Sequence, residues 1–229
     1  RRLSTPIEKT GKLIPPRKLH NSQWGLICPC ETPEGHSVGV VKNLASTANV
    51  TLPSSPNPVL RVLYDELKMK HLNETTALDR RDLLRVFING AWIGTLGSSA
   101  KAAAAVKSLV IAKRSGRIHP YTSVVYKSST NEVWMNTEGG RIVRPLFVGE
   151  TIREILSTGL THPWTFCTSW NDLMRWVSPA GNHLLEFVDA GESEGLYISK
   201  TLGTLAHDHT HLEIHPSVII GTMGSNIPF

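Results

Sequence analysis

The sequence predicts an α+β fold of mixed short strands and helices, on three observations. Asn89-Gly90 sits between two apolar β-rich runs, 85–88 and 91–96, which is a strong hairpin signal. Apolar residues recur at helical spacing after a Pro-rich link, with Val59, Leu60, Val62, Leu63 and Leu67 on one face. Several further apolar runs are too short for anything but brief strands and are separated by Gly, Pro and Ser turns.

Taken in order, residues 1–16 read as an irregular basic segment, because Thr5-Pro6, Thr10-Gly11 and Pro15-Pro16 oppose helix. Residues 17–28 become extended and partly apolar. Thr32-Pro33-Glu34-Gly35 is a turn, with Pro33 presetting φ and Gly35 free to take φ > 0. Residues 38–44 read as an apolar strand or the start of a buried helix. The first clear helix runs to about residue 71, with Ser55 or Asn57 as N-cap and Lys68 and Lys70 near its C-terminal dipole. After the hairpin, Ser99 is predicted to cap a helix ending at Ser115-Gly116, with Val106, Leu109 and Val110 inward and Lys101, Lys107, Lys113 and Arg114 on the wet side or last turn. Strands follow at 121–126, 132–136 and 141–147, then helices at 149–157 and 168–177. Residues 184–188 and 195–199 read as strands around Asp189-Ala-Gly-Glu-Ser-Glu194, and 211–221 as a last extended run.

Composition sets limits. The chain has 229 residues, 40% of them hydrophobic and 19% charged, which is ordinary for a folded chain of one large or two small domains. It holds no apolar run of the roughly 20 residues that span a bilayer, and no signal peptide is evident. A start at Arg1-Arg2 and an end at Ile227-Pro228-Phe229 suggest a fragment. Three cysteines do not make a disulfide framework, so a reducing compartment is expected.

Charge is unevenly placed. The first thirty residues carry six Lys/Arg and one Glu, which equals the +5 of the whole chain. Arg1, Arg2, Lys9, Lys12, Arg17 and Lys18 have no aromatic residue among them, so they suit phosphate contact better than base stacking. Arg17 follows Pro16, and Glu34 lies between Pro33 and Gly35, so rigid backbone holds both; a structural ion pair is the plain alternative. Cys28-Pro29-Cys30 lacks the four ligands of a zinc site and reads as two small buried side chains. Asp189, Glu192 and Glu194 read as solvated turn charges, with Mg²⁺ binding as the alternative. His207, His209, His211 and His215 alternate, so on a strand three would share a face, yet they match no zinc-hydrolase spacing.

These motifs also carry a resemblance. Arg17-Lys-Leu-His20, Trp24-Gly-Leu-Ile-Cys28, Glu31-Thr-Pro-Glu-Gly35 and Val41-Lys-Asn-Leu44 resemble, in order and spacing, the second-largest subunit of multisubunit DNA-dependent RNA polymerase. His211-Leu-Glu-Ile-His-Pro-Ser217 and Ile227-Pro-Phe229 are similar to the segment opening its hybrid-binding region. Phe87-Ile-Asn-Gly90, residues 140–146 and Phe187-Val-Asp-Ala190 are similar to its external-2 domain. Arg1-Arg2 and Thr5-Pro6-Ile7 look like the eukaryotic, archaeal or viral type.

The resemblance implies a fork loop and core segment at 1–55, an external-2-like α+β domain at 56–178, and a return segment at 179–229. It implies template-dependent RNA synthesis by a complete enzyme, with this chain lining the DNA fork and active-centre cleft and inactive alone. Arg17 and Glu34 would support the active centre. Arg1, Arg2, Lys9, Lys12, Arg17, Lys18 and Lys42 would face nucleic acid. Mg²⁺ would be held mainly by the largest subunit, a partner alongside the other polymerase subunits, template DNA and the RNA–DNA hybrid. The location implied is the nucleus for a cellular eukaryote, and the cytoplasm or a virion otherwise. Two rival readings remain: a metal-dependent hydrolase built on residues His207 to His215, and a pure protein-interaction module.

Overall fold

A computed structural model describes residues 1–8, 10–11, 13–75, 83–98, 102–159, 163–165 and 167–228. The fold is α+β, as the sequence predicts.

The N-terminal segment is more ordered than its composition suggests. Strand β1 (Arg2–Ser4) pairs antiparallel with β2 (Val41–Asn43), setting Arg2 opposite Asn43 and Leu3 opposite Lys42. Residues 1–16 are therefore not irregular throughout: a strand partner about 40 residues away satisfies the backbone that local propensity leaves open. Leu3 also packs on a small core of Leu44, Ala45 and Ala48. Strand β3 (Asn49–Val50) then joins the central sheet.

The helix after the Pro-rich link starts as α1 (Asn57–Arg61), passes into a π turn over Val62–Glu66, and stops at Lys68 with φ 53°. Neither Ser55 nor Asn57 is the N-cap; Pro56 is, and the Ser55 hydroxyl accepts from the Asn57 N–H. The helix is shorter than predicted because Lys70–His71 become strand β4 on the sheet edge. That sheet runs β4-β6-β5-β8-β7, with β5 (Leu83–Ile88), β6 (Ala91–Ser98), β7 (Ser123–Lys127) and β8 (Glu132–Asn136). Asn89 and Gly90 both take positive φ, as a tight hairpin requires. Leu84, Val86, Ile88, Val133 and Met135 face inward against α1 and against Leu109 and Ala112 of α2 (Ala102–Arg114). The predicted cap Ser99 and the wet-side Lys101 lie outside the described residues.

The second five-stranded sheet is centred on β9 (Ile142–Val148). One side of β9 pairs with β10 (Leu185–Asp189); the other side pairs with β3 and with β12 (His211–Leu212), which in turn pairs parallel with β11 (Ile198–Ser199). Helix α3 (Gly149–Thr158) ends at Gly159 in the left-handed region and buries Ile152 and Ile155 against Phe147, Leu184 and Leu185. Helix α4 (Trp170–Arg175) is capped by Ser169. Two predictions fail in the last third. Residues 190–193 form a helical turn, α5 (Ala190–Ser193), capped by Asp189. The extended run at 211–221 is a strand only over its first two residues; Pro216 then opens a 3-10 turn, and a short helix α6 (Thr222–Ser225) follows.

Candidate nucleic-acid interface

Two hinges of backbone bring the candidate residues together. The turn at 32–35 is tied to β2: the Thr32 hydroxyl donates to the Val41 carbonyl at 2.9 Å and accepts from the Gly39 N–H, and Asn43 Nδ2 donates to the Glu31 carbonyl at 3.0 Å. The segment around Pro15-Pro16 forms a 3-10 turn that ends on Arg17. Arg17 joins the two. Its Nη1 donates to the carbonyls of His36 and Val38, both at 2.8 Å, and its Nη2 donates to the Gly11 carbonyl at 3.0 Å. Gly39 takes φ 69°, and a Cβ there would overlap the Arg17 backbone, so glycine is needed for this close approach.

Arg17 is thus a half-buried staple between the turn and the arm, and its guanidinium is engaged by carbonyls. Glu34 sits at the N-cap of the 3-10 turn Gly35–Ser37; it is exposed and accepts no hydrogen bond among the described residues. The Arg17–Glu34 ion pair does not form. Arg1, Arg2 and Lys18 are exposed. Lys42 is half-buried and reaches the Pro16 carbonyl at 3.4 Å. Register places Arg2 and Lys42 on opposite faces of the β1–β2 ribbon, so the basic residues do not form one flat patch. Lys9 and Lys12 lie outside the described residues.

The arm is anchored to the rest of the molecule by charge. Arg144 of β9 holds both oxygens of Glu213 at 2.7 Å, with both side chains 2% exposed. Trp24 Nε1 donates to the same Glu213 at 3.0 Å, and Ser46 is tied to the carbonyls of Val218 and Ile220. The core segment, the central sheet and the return segment therefore meet at one buried carboxylate.

A second buried cluster was missed entirely. Lys113, expected on the wet side or in the last turn, lies in the last turn of α2 but points inward and bridges Glu192 at 2.6 Å and Glu186 at 3.4 Å. Arg114 reaches Glu186 at 2.6 Å, and His211 Nε2 lies 3.2 Å from the same carboxylate. Burial pushes Glu186 up, but Lys113, the His211 hydrogen bond and Arg114 together hold it well below the usual carboxylate range. Burial, with the Glu186 and Asp189 charges, pushes Glu192 up to about 7 against the pull of Lys113. Burial acts to lower the Lys113 amine, and the two carboxylates outweigh it and raise it. The acidic residues 189 and 192 are therefore buried structural partners rather than solvated turn charges: Asp189 also pairs with Arg141 at 3.0 Å. The only signal that could have found them is the i, i+3 capping-box spacing of Asp189 and Glu192.

The histidines do not share a strand face. His211 is buried against Glu186, His209 Nδ1 accepts from the Ala206 N–H, and His215 contacts the Ser217 hydroxyl and N–H. Cys28 is buried as expected, but Cys30 is exposed.

Residues 1–50 match the family model of RNA polymerase Rpb2, domain 3, and residues 86–150 match that of RNA polymerase Rpb2, domain 4. The chain is 32% identical over 239 residues to DNA-directed RNA polymerase II subunit RPB2 of Encephalitozoon cuniculi, and 33% over 240 residues to DNA-directed RNA polymerase II subunit 2 of Arabidopsis thaliana. It is 30% identical over 248 residues to DNA-directed RNA polymerase subunit Rpo2 of Sulfolobus acidocaldarius. Each alignment covers 100% of this chain and 20% of the relative, so the chain spans about a fifth of the length of the curated relatives it matches.

Proposed function

Because this chain belongs to the Rpb2-type family of second-largest RNA polymerase subunits, we propose that it is the part of a DNA-directed RNA polymerase that lines the DNA fork and the active-centre cleft. The observation that carries this reading is alignment to these subunits along the whole chain, the exposed basic arm and the Arg17 turn included. In this reading residues 1–55 are the fork loop and core segment, 56–178 an external-2-like domain, and 179–229 the return toward the hybrid.

The work of the arm is electrostatic. Arg1, Arg2, Lys9, Lys12 and Lys18 meet phosphates, and this contact positions DNA without reading sequence. Arg17 holds the turn that presents Glu34 to the active centre, and Lys42 contacts the Pro16 carbonyl just before Arg17, so their role in nucleic-acid contact runs through backbone geometry. The reaction is template-dependent nucleotidyl transfer by the complete enzyme, with the largest subunit and the other subunits as partners. In a eukaryotic cell its place is the nucleus. No helix of the described residues is long and apolar enough to cross a membrane.

Mg²⁺ belongs to the complete enzyme. Among the described residues the candidate carboxylates do not fit a site for it: Asp189 and Glu192 are taken by Arg141 and Lys113, and no group of three metal-binding side chains converges. His209, His211 and His215 are each engaged by neighbouring groups, and the relatives favour the polymerase over the hydrolase reading. The test is a complete polymerase carrying Glu34→Ala. Normal assembly with altered elongation rate or fidelity is expected; normal assembly with normal elongation overturns the role of Glu34. The isolated chain should incorporate no nucleotide.

A further inference from the structure

Outside this machinery, two free thiols lie side by side, those of Cys28 and Cys30. Their sulfurs are 3.5 Å apart and hydrogen-bonded, and neither is in a disulfide. The backbone beneath them is fixed. The Cys28 N–H donates to the Asn43 carbonyl at 2.8 Å, and the Thr32 N–H closes a tight turn on the Cys30 carbonyl at 3.1 Å. Pro29 between them adds a further restraint on φ. The two thiols are therefore held as neighbours, with little chain entropy left to lose on joining them.

Their surroundings are asymmetric in a useful way. Cys28 is 5% exposed, whereas Cys30 is exposed. Burial acts to raise the Cys28 thiol, but hydrogen bonds from the Gly221, Cys30 and Glu31 backbone outweigh it and lower it. The hydrogen bond with Cys28, burial and the Cys28 charge raise Cys30. Either sulfur can donate in the hydrogen bond between them. Glu31 Oε2 is buried, has no hydrogen-bond partner, and abuts Gly221, the same glycine that Cys28 Cβ approaches.

We propose that Cys28 and Cys30 form a redox-active dithiol that hydrogen peroxide converts to an intramolecular disulfide. Exposure makes Cys30 the sulfur that peroxide reaches. The Cys30 thiol gives up its proton to water, the thiolate so formed attacks one peroxide oxygen, the O–O bond breaks, and the hydroxide that leaves takes up a proton, giving a sulfenic acid on Cys30. The Cys28 thiolate then attacks the Cys30 sulfur; the S–S bond forms, the S–O bond breaks, and the departing hydroxide is protonated to water. Both thiol protons end in water, two electrons pass from the two sulfurs to peroxide, and the products are one disulfide and two waters. Closing the bond draws the sulfurs from 3.5 Å to about 2.05 Å. The disulfide lies just before the turn that carries Glu34 and against Gly221 and Gly224 of the return segment, so its formation is felt on both sides.

The experiment uses assembled polymerase containing this subunit. The enzyme is treated with hydrogen peroxide and blocked with N-ethylmaleimide. It is then reduced, labelled with iodoacetamide, and digested for mass spectrometry. The peptide spanning residues 28–30 should carry iodoacetamide on both cysteines after peroxide and N-ethylmaleimide on both without it. Cys167, which lies elsewhere, serves as the internal control. In a Cys28→Ser enzyme, Cys30 should stop at sulfenic acid or proceed to sulfinic acid, because the resolving sulfur is gone. Two results overturn the proposal: N-ethylmaleimide on both cysteines after peroxide treatment, or sulfinic acid on Cys30 in the unsubstituted enzyme with Cys28 still alkylated. A Cys30→Ser enzyme in which Cys28 still forms a reducible bond would overturn the pairing.

Discussion

The basic arm and the buried cluster around Lys113 use the same kinds of charge to opposite ends. In the arm, Arg1, Arg2 and Lys18 stand in solvent, and their charge is available to a polyanion. In the cluster, Lys113, Arg114, His211, Glu186 and Glu192 are packed between α2, β10 and β12, and their charge is spent on one another. A cation in water keeps its hydration and costs the fold nothing; a cation in the interior must be matched in place. The arm can therefore change with little effect on folding, whereas the cluster cannot.

Breaking the cluster should have the largest effect. Lys113→Met leaves two buried carboxylates facing each other and should cost about 3–5 kcal/mol, read by urea unfolding. Adding Glu192→Gln should recover part of the loss; no recovery would mean that packing rather than charge was lost.

The next effect is on pH. Glu186 is held below its ordinary value of 4.5, so its contribution is full above that value and is lost as pH falls through its lowered one. Glu192 is raised to about 7, so the folded state binds its proton more tightly than the unfolded chain, and this contribution fades as pH climbs through 7. Stability from the cluster should peak between these limits. Melting curves across that range should lose their alkaline limb with Glu192→Gln and their acid limb with Glu186→Gln.

Gly39→Ala probes the border between the regions. It forces a side chain into left-handed backbone against Arg17 and should cost roughly 1–2 kcal/mol. Arg17 should then lose its hold on the turn, visible as reduced elongation by assembled enzyme. The smallest effect on folding comes from the arm. Changing Arg1, Arg2, Lys9 and Lys12 to Ser should leave stability within about 0.5 kcal/mol. The same change should flatten the log–log salt dependence of DNA binding by about 0.9 for each phosphate that is no longer neutralised. An unchanged slope would remove the arm from nucleic-acid binding.

Local pattern carried much of the fold. The Asn89-Gly90 hairpin, the helices starting near residues 57 and 149, and the strands near 123, 132, 142 and 185 all lie close to their predicted places. Each is specified by neighbours in sequence: two residues of turn, or one apolar stripe. The candidate site was legible in part. The Pro and Gly around Arg17 and Glu34 marked rigid backbone, but not that Arg17 would clasp three carbonyls instead of Glu34.

By itself the sequence determined the α+β class, the main secondary elements, the concentration of net charge in the first thirty residues, and the motif order shared with polymerase subunits. These are properties of short windows, where propensity, periodicity and charge sums act. Only the tertiary structure decided that Arg2–Ser4 is a strand, that Lys113 turns inward, and that Glu192 and Glu213 are buried anchors. It also decided that the last apolar run folds into turns. The physical reason is pairing at long range. Glu192 meets Lys113 across 79 residues and Glu213 meets Arg144 across 69, and opposite charges that distant cancel in any local count.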